Sequence, residues 1–322
     1  MPHSACGRLT LMSMLLLLLT ACALGTPPSE TQPKPTVNAQ RALVLAGGGA
    51  TARGWELGML KGLRDAGVDL TQADLIEGTS GGAFLGVQLR SGKTVDALYP
   101  GVMAPGPGST VPSGPPPFDE AYFQETRRLW TNASADTAER RVEIGRRGLA
   151  ATRVISEEMQ VRITTTALGD IHEWPVPLLT IATTDVGDGS VRFLGQHDGV
   201  PLERALAAST AQPGRVAPIT IGDRRYMDGG VAGTNVDGAA GYGVIVALTP
   251  GAGPKTKQEV DALRAQGSRV LAIAPDTDSE SARGQDLFDV TRVRPSAEAG
   301  YRQAAAVLAE VRELWETSTQ GH

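Results

Sequence analysis

Cysteine is almost missing from this chain: 322 residues hold two, Cys6 and Cys22, both near the amino terminus. A folded part without cysteine has no disulfide to lean on and needs an ordinary hydrophobic core. There is no basic excess either. Thirty Lys and Arg stand against 35 Asp and Glu, for a net charge of −5, which argues against nucleic acid as a partner. Aromatic residues are only 4 % of the chain, while glycine and alanine are plentiful. The longest apolar run, Leu9 to Leu19, falls short of the ~20 residues of a membrane span. Histidine is scarce too, with four in all: His3, His172, His197 and His322.

What the amino terminus does have is the outline of a secretory signal. Arg8 supplies a positive start, Leu9 to Leu19 an apolar core, and small residues follow. Leu19-Thr20-Ala21-Cys22 resembles the bacterial lipobox, in which the cysteine is acylated and becomes the first residue of the mature chain. Residues 1–21 are then a signal peptide. Residues 22–40, rich in Pro, Thr, Ser and Gln, read as a solvated tether with a reach of ~25 Å. The expected location is the bacterial cell envelope, outside the cytoplasm and lipid-anchored through Cys22.

The folded part is expected over 41–322. Ala42 to Ala46 is a short run apolar on both faces, as in a central parallel strand. Gly47-Gly48-Gly49 follows, and a helix is expected from about Trp55 to Gly67, with Trp55, Met59, Leu60, Leu63 and Ala66 on one face and Glu56 elsewhere. A second apolar strand, Leu75 to Glu77, runs into Gly78-Thr79-Ser80-Gly81-Gly82 and a small-residue helix from Ala83 to Leu89. Such a β-α-β unit places the glycine loop and Ser80 side by side at the carboxyl edge of a parallel sheet. The second turn has the layout of a nucleophile elbow, with Gly78 and Gly82 letting strand and helix approach.

The glycine loop fits a dinucleotide fingerprint only loosely, since no acid ends the second strand at the right distance; Glu77 is 30 residues past Gly47. No Gly-Lys-Ser/Thr follows, which excludes a P-loop. Beside a serine elbow, the N–H groups of consecutive glycines suit an oxyanion hole.

From Ser91 to Phe118 the chain reads as irregular. Residues 105–117 hold six prolines and suit a flap, a linker or a plain surface loop. Residues 119–167 look helical, with basic clusters at Arg140-Arg141 and Arg146-Arg147 that suit either lipid headgroups or a solvated face. Strands are expected at Leu178 to Thr183, Val191 to Leu194, Val244 to Leu248 and Val270 to Ala274. Helices are expected at 201–211, 256–266 and Ala297 to Trp315. Strands alternating with helices make an α/β fold with a mainly parallel central sheet.

Ser80 needs a base. His3 is in the signal and His322 is the last residue; His172 and His197 lie in polar stretches, and a pairing such as Asp185 with His197 has no support around it. Asp228, at a strand end before Gly229-Gly230, can serve directly if it reaches the hydroxyl, although Asp-Gly-Gly is also a common turn.

Taken together, Gly47-Gly48-Gly49, Gly78-Thr79-Ser80-Gly81-Gly82 and Asp228-Gly229-Gly230 resemble the motifs of the patatin-like phospholipases. Ala182-Thr183-Thr184-Asp185 and Ala207-Ala208-Ser209-Thr210-Ala211-Gln212-Pro213 are similar to two further stretches of that family. The match runs from Arg41 to about Pro250, and the form of its first loop is closest to a bacterial branch. It implies a three-layer α/β sandwich and a Ser-Asp dyad, with Ser80 attacking an acyl ester and Asp228 as base. It also implies an oxyanion hole from the Gly47–Gly49 loop, Gly48 and Gly49 foremost, with Gly81. No cofactor or metal is implied; the expected partners are a phospholipid, lysophospholipid or other acyl-ester lipid and, through Cys22, a membrane. The chain departs from the family where Ala50-Thr51-Ala52 separates the glycines from Arg53-Gly54, so no family role passes to Arg53. A lipoprotein that binds acyl chains without turnover and a nucleotide-binding oxidoreductase are the competing readings.

Overall fold

Eight strands make one sheet in a computed structural model of the chain, which describes residues 38–104, 117–131, 136–176 and 178–316. Cys22, residues 22–37 of the expected tether and 105–116 of the proline-rich stretch lie outside the described residues. The strands are β1 (Asn38–Leu45), β2 (Leu75–Gly78), β3 (Leu179–Asp185), β4 (Val191–Leu194), β5 (Ile219–Ile221), β6 (Arg224–Asp228), β7 (Tyr242–Leu248) and β8 (Arg269–Ile273). Their order is β5-β6-β3-β2-β1-β7-β8, with β4 also on β3. β3, β2, β1, β7 and β8 run parallel, while β4, β5 and β6 pair antiparallel. β1 starts at Asn38, so the last three residues of the expected tether belong to the sheet.

The apolar strands are covered on both faces, which is why they do not alternate. Leu43 and Leu45 of β1 pack with Trp55, Met59 and Leu63 of α1 (Gly49–Asp65) and Leu85 of α2 (Gly81–Arg90). Ala42 and Val44 pack on the opposite face, with Val260 and Leu263 of a later helix, α8. The intervening helices are α3 (Val95–Met103), α4 (Glu120–Thr131), α5 (Ala138–Ala150), α6 (Glu157–Leu168) and α7 (Leu202–Ser209). After them come α8 (Pro254–Ala265), α9 (Thr277–Arg283) and α10 (Val293–Glu316). Helix, sheet and helix form the three layers of an α/β sandwich.

Three expectations need correction. α1 begins at Gly49 rather than near Trp55, because the N–H groups of Ala50 and Thr51 both find the Leu287 carbonyl at 2.9 and 3.2 Å and hold the first turn in place. Glu56 is fully buried, because it stands one helical turn before Met59 and Leu60 and so shares their buried face of α1. Burial pushes its carboxyl well up, with Arg283 and Arg53 pulling it back. Within the stretch read as irregular lies α3, capped by Thr94, whose hydroxyl accepts from Ala97 N–H at 3.1 Å. Pro100 sits inside that helix, where its missing N–H leaves one bond unmade.

Sheet register positions the site. Ile181 of β3 pairs with Gly78 of β2 on one edge and Leu194 of β4 on the other. Thr183 pairs with Arg192 of β4 and Asp228 of β6. β4 therefore holds one edge of β3, and β2 and β6 share the other, running toward each other. Their carboxyl ends meet, one carrying the serine turn and the other Asp228.

Candidate active site

Ser80 is held in a conformation that few L residues adopt, φ 51° and ψ −114°, between the end of β2 and the first turn of α2. Such a backbone costs about 1–3 kcal/mol and persists only where its surroundings impose it. Several contacts impose it here. Thr79 N–H donates to Leu45 O at 3.0 Å, Gly82 N–H to Thr79 O at 2.9 Å, and Ser80 N–H to Ser209 Oγ on α7 at 2.8 Å. A Cβ on Gly82 would lie 2.1 Å from Leu45 O, and one on Gly78 2.6 Å from the Ala83 Cα. These two positions need glycine because strand and helix cross at backbone contact.

The Ser80 hydroxyl donates to Asp228 Oδ2 at 3.1 Å across 148 residues of chain. The other carboxyl oxygen, Oδ1, accepts from Gly230 N–H at 2.7 Å, so the turn after β6 fixes the acid's rotamer. Asp228 N–H donates to Ala211 O at 2.9 Å, tying β6 to the end of α7. Asp228 is buried, and no cation among the described residues pairs with its carboxylate. Burial pushes its carboxyl up from 3.8 to about 7, and the bonds from Gly230 and Ser80 hold it back from rising further. A carboxylate tuned to neutral pH and bonded to a serine hydroxyl is a competent general base. The two loops are also joined by Asn235, whose amide donates to Thr79 Oγ1 at 3.1 Å and Gly229 O at 3.0 Å. Asn235 itself sits in the left-handed region, at φ 55°.

Gly47, Gly48 and Gly49 pass directly beside this pair. A Cβ on Gly81 would sit 2.5 Å from Gly49 O, so the glycine loop and the start of α2 touch through their backbones. The N–H groups of Gly48, Gly49 and Gly81 donate to no acceptor among the described residues. Gly49 is left-handed (φ 71°), and its Cβ would meet Leu287 O at 2.5 Å. That conformation turns the chain into α1 while leaving donors free at two helix starts.

Ser80 lies where two cavities meet. The first, of about 250 Å³, has apolar walls from Phe84, Ile155, Ile163, Val216 and Phe288. The second, of about 320 Å³, is more polar and runs past Asp228, Gly48, Trp130 and Arg140. Gln212 borders both.

Other candidates from the sequence are elsewhere. His172 and His197 are exposed and border neither cavity. Asp185 bonds Arg224 at 2.8 Å and Gly187 N–H at 2.7 Å, so it orients a turn rather than a histidine. Of the basic clusters, Arg140 donates to Leu129 O, Arg141 to Gly189 O and Arg147 to Thr126 Oγ1, which leaves Arg146 as the exposed member. Glu77 is buried beneath the elbow, with Thr79 Oγ1 at 3.4 Å, and does not face a nucleotide cleft. The sequence reading missed the bracing roles of Ser209 and Asn235. The only signal for Ser209 was its place in a motif-like stretch; for Asn235 there was none short of the fold itself.

A family model described as patatin-like phospholipase matches residues 43–240, more than half of the chain. The chain belongs to this family. Membership implies a lipid substrate and lipid acyl hydrolase activity, and the matched range contains the glycine loop, Ser80 and Asp228. No curated protein matches the chain. Among solved structures, this patatin-like chain is similar to VipD from Legionella pneumophila, with 12 % identity, TM-score 0.43, and 85 % of this chain and 68 % of that one covered. It is also similar to the type III effector protein ExoU, with 15 % identity, TM-score 0.38 and coverage of 87 % and 54 %. A full-length ExoU from Pseudomonas aeruginosa, in complex with SpcU, gives 14 % identity, TM-score 0.34 and coverage of 83 % and 53 %. The chain thus spans about half the length of ExoU.

Proposed function

We propose that the protein is a serine acyl-ester hydrolase that releases fatty acids from phospholipids or lysophospholipids, with Ser80 as nucleophile and Asp228 as base. The observation that carries this is the 3.1 Å bond from the Ser80 hydroxyl to a buried carboxylate poised near neutral pH. Ser80 Oγ attacks the ester carbonyl carbon and its proton passes to Asp228 Oδ2. The carbonyl oxygen becomes an oxyanion, which the free N–H groups of Gly48, Gly49 and Gly81 receive, with Gly47 shaping the loop. Collapse breaks the bond to the alcohol, which leaves with the proton from Asp228 and gives an acyl-Ser80 ester. Water, deprotonated by Asp228, then attacks that ester, freeing the fatty acid and restoring the serine.

The test is hydrolysis of short- and long-chain nitrophenyl esters by the full chain, its Ser80→Ala variant and its Asp228→Asn variant. Loss of activity in both variants, with preference for the longer chain in the wild type, supports the reading. Full activity in Ser80→Ala defeats it, and acyl-chain binding without turnover by the wild type supports a carrier instead. We further propose that acylated Cys22 anchors the chain to an envelope membrane. Expressed in bacteria, the wild type is expected in the membrane fraction and Cys22→Ser in the soluble one; equal partition removes the anchor.

A further inference from the structure

Two arginines border the first cavity without a carboxylate partner. Arg53, on α1, has no ion pair or side-chain hydrogen bond to a described residue, and its guanidinium lies 5.9 Å from the Phe84 ring centre. Arg215, between α7 and β5, is also without ion pair or side-chain hydrogen bond and stacks on Phe288 at 4.0 Å. Both are half-buried, and burial lowers the pKa of each. Carboxylates do exist in the neighbourhood, Glu56 for Arg53 and Glu120 and Asp286 for Arg215, but none comes within ion-pair reach.

The cavity wall itself contains no acidic residue: two cations stand in an otherwise apolar and neutral lining. The second cavity differs. It includes Asp136 and Asp228, so cations and carboxylates stand together there; of its arginines, Arg140 and Arg283 donate to the Leu129 and Pro250 carbonyls, while Arg127 makes no ion pair among the described residues. One more polar group borders the first cavity unsatisfied. Gln212 is 8 % exposed, and its amide Oε1 has no hydrogen-bond partner among the described residues. A buried amide oxygen and two desolvated guanidiniums are each costly to leave unpaired. A ligand that offers an anion to the arginines and a hydroxyl to the amide satisfies all three.

We propose that Arg53 and Arg215, with Gln212 beside them, form a subsite for the phosphate of the ester substrate, so that the first cavity receives the phosphate-bearing limb. Phe84, Ile155, Ile163 and Val216 then cover the apolar part of that limb, and the reacting carbonyl lies at Ser80 between the two cavities. The flat, five-donor guanidinium suits a phosphate better than an ammonium does. This rests on the hydrolase reading for turnover, although the binding itself does not need it.

The experiment compares 1-octanoylglycerol with 1-octanoylglycerol 3-phosphate as substrates for the full chain. The phosphate ester is expected to be preferred about tenfold or more in kcat/KM. Arg215→Met and Arg53→Met should each collapse that preference through KM, Arg215→Lys should keep part of it, and Lys93→Met, which removes an exposed charge outside the cavity, should not alter it. A wild type without preference, or a preference unchanged in both arginine variants, overturns the subsite. In parallel, calorimetry on Ser80→Ala measures binding of octyl phosphate and of inorganic phosphate, with thermal melts checking that each variant is folded. Octyl phosphate should bind more tightly and lose that binding in Ser80→Ala/Arg215→Met. Equal affinity for inorganic phosphate would overturn the assignment to a lipid phosphate. If neither ester is turned over but octyl phosphate binds in an Arg215-dependent way, the hydrolase reading fails and the subsite stands.

Discussion

Asp228 carries two opposed demands. The proposed role as base requires it to ionise, yet its burial favours the neutral acid and raises its carboxyl to about 7. The rate limb at low pH should therefore titrate near 7 rather than near 4: kcat/KM for a neutral ester rises with pH up to about 7 and levels above it. A limb at about 4 would mean that the carboxylate is solvated. Stability moves the other way. Because the folded value lies above the unfolded 3.8, the native state binds more protons between those limits, so stability falls as pH rises from about 4 to about 7. Raising the carboxyl from 3.8 to about 7 corresponds to a cost on the order of 4 kcal/mol above pH 7. Asp228→Asn is thus expected to abolish hydrolysis while raising the melting midpoint at pH 8 and leaving it little changed at pH 4. Asn235 makes a complementary case. Asn235→Ala breaks both bonds that join the two loops, and should cost about 1–3 kcal/mol. It should lower kcat more than it raises KM, because the partner carboxylate, not the lipid, loses its position. Ser80, Asp228 and the glycines were legible in the sequence because their motifs are local. Ser209 and Asn235 were not, because each acts across a gap that only the fold closes.

At the scale of elements, the pairing of α1 with α10 is built from small residues. Gly54, Gly58 and Gly62 recur every fourth residue along one face of α1 and meet Val293, Ala297, Tyr301 and Ala304 of α10. A Cβ on Gly58 would lie 2.0 Å from Ala297 O, and one on Gly300 2.2 Å from Trp55 O, so the backbones are in contact. Gly58→Val is expected to destabilise by at least about 3 kcal/mol, read by thermal or urea denaturation. Gly67→Ala, where nothing lies within 4 Å, should cost only the strain of its positive φ, about 1 kcal/mol. The apolar spacing of α1 revealed the face toward the sheet, but a glycine stripe carries no hydropathy signal. The α1 face that meets α10 was therefore read as solvent-exposed. The strands fared better, since four-to-seven-residue apolar runs buried on both faces have few alternatives in an α/β chain.

For the molecule as a whole, residues beyond the matched family range complete the site. β7 pairs with β1, α10 covers α1, and Leu287 O, just before α10, receives Ala50 and Thr51 N–H and so sets the glycine loop. A chain ending after Arg292 is expected to lose cooperative unfolding and activity together, since the stripe on α1 and its buried neighbours would face water. Layer order and parallel core could be read from alternating runs. The meeting of β2 and β6 on one edge of β3 could not, because register is a property of three strands at once. No helix among the described residues is long and apolar enough to cross a membrane. At the rim of the first cavity Ile163 and Phe288 are exposed.

The central claim, that Ser80 is the nucleophile activated by Asp228, is tested most directly by covalent trapping. The full chain is treated with a long-chain alkyl fluorophosphonate and the adduct is located by peptide mass spectrometry. The account predicts one adduct per chain, on Ser80, formed in step with loss of esterase activity, strongly slowed in Asp228→Asn and absent in Ser80→Ala. An adduct on another residue, or hydrolysis that survives complete labelling of Ser80, would contradict it.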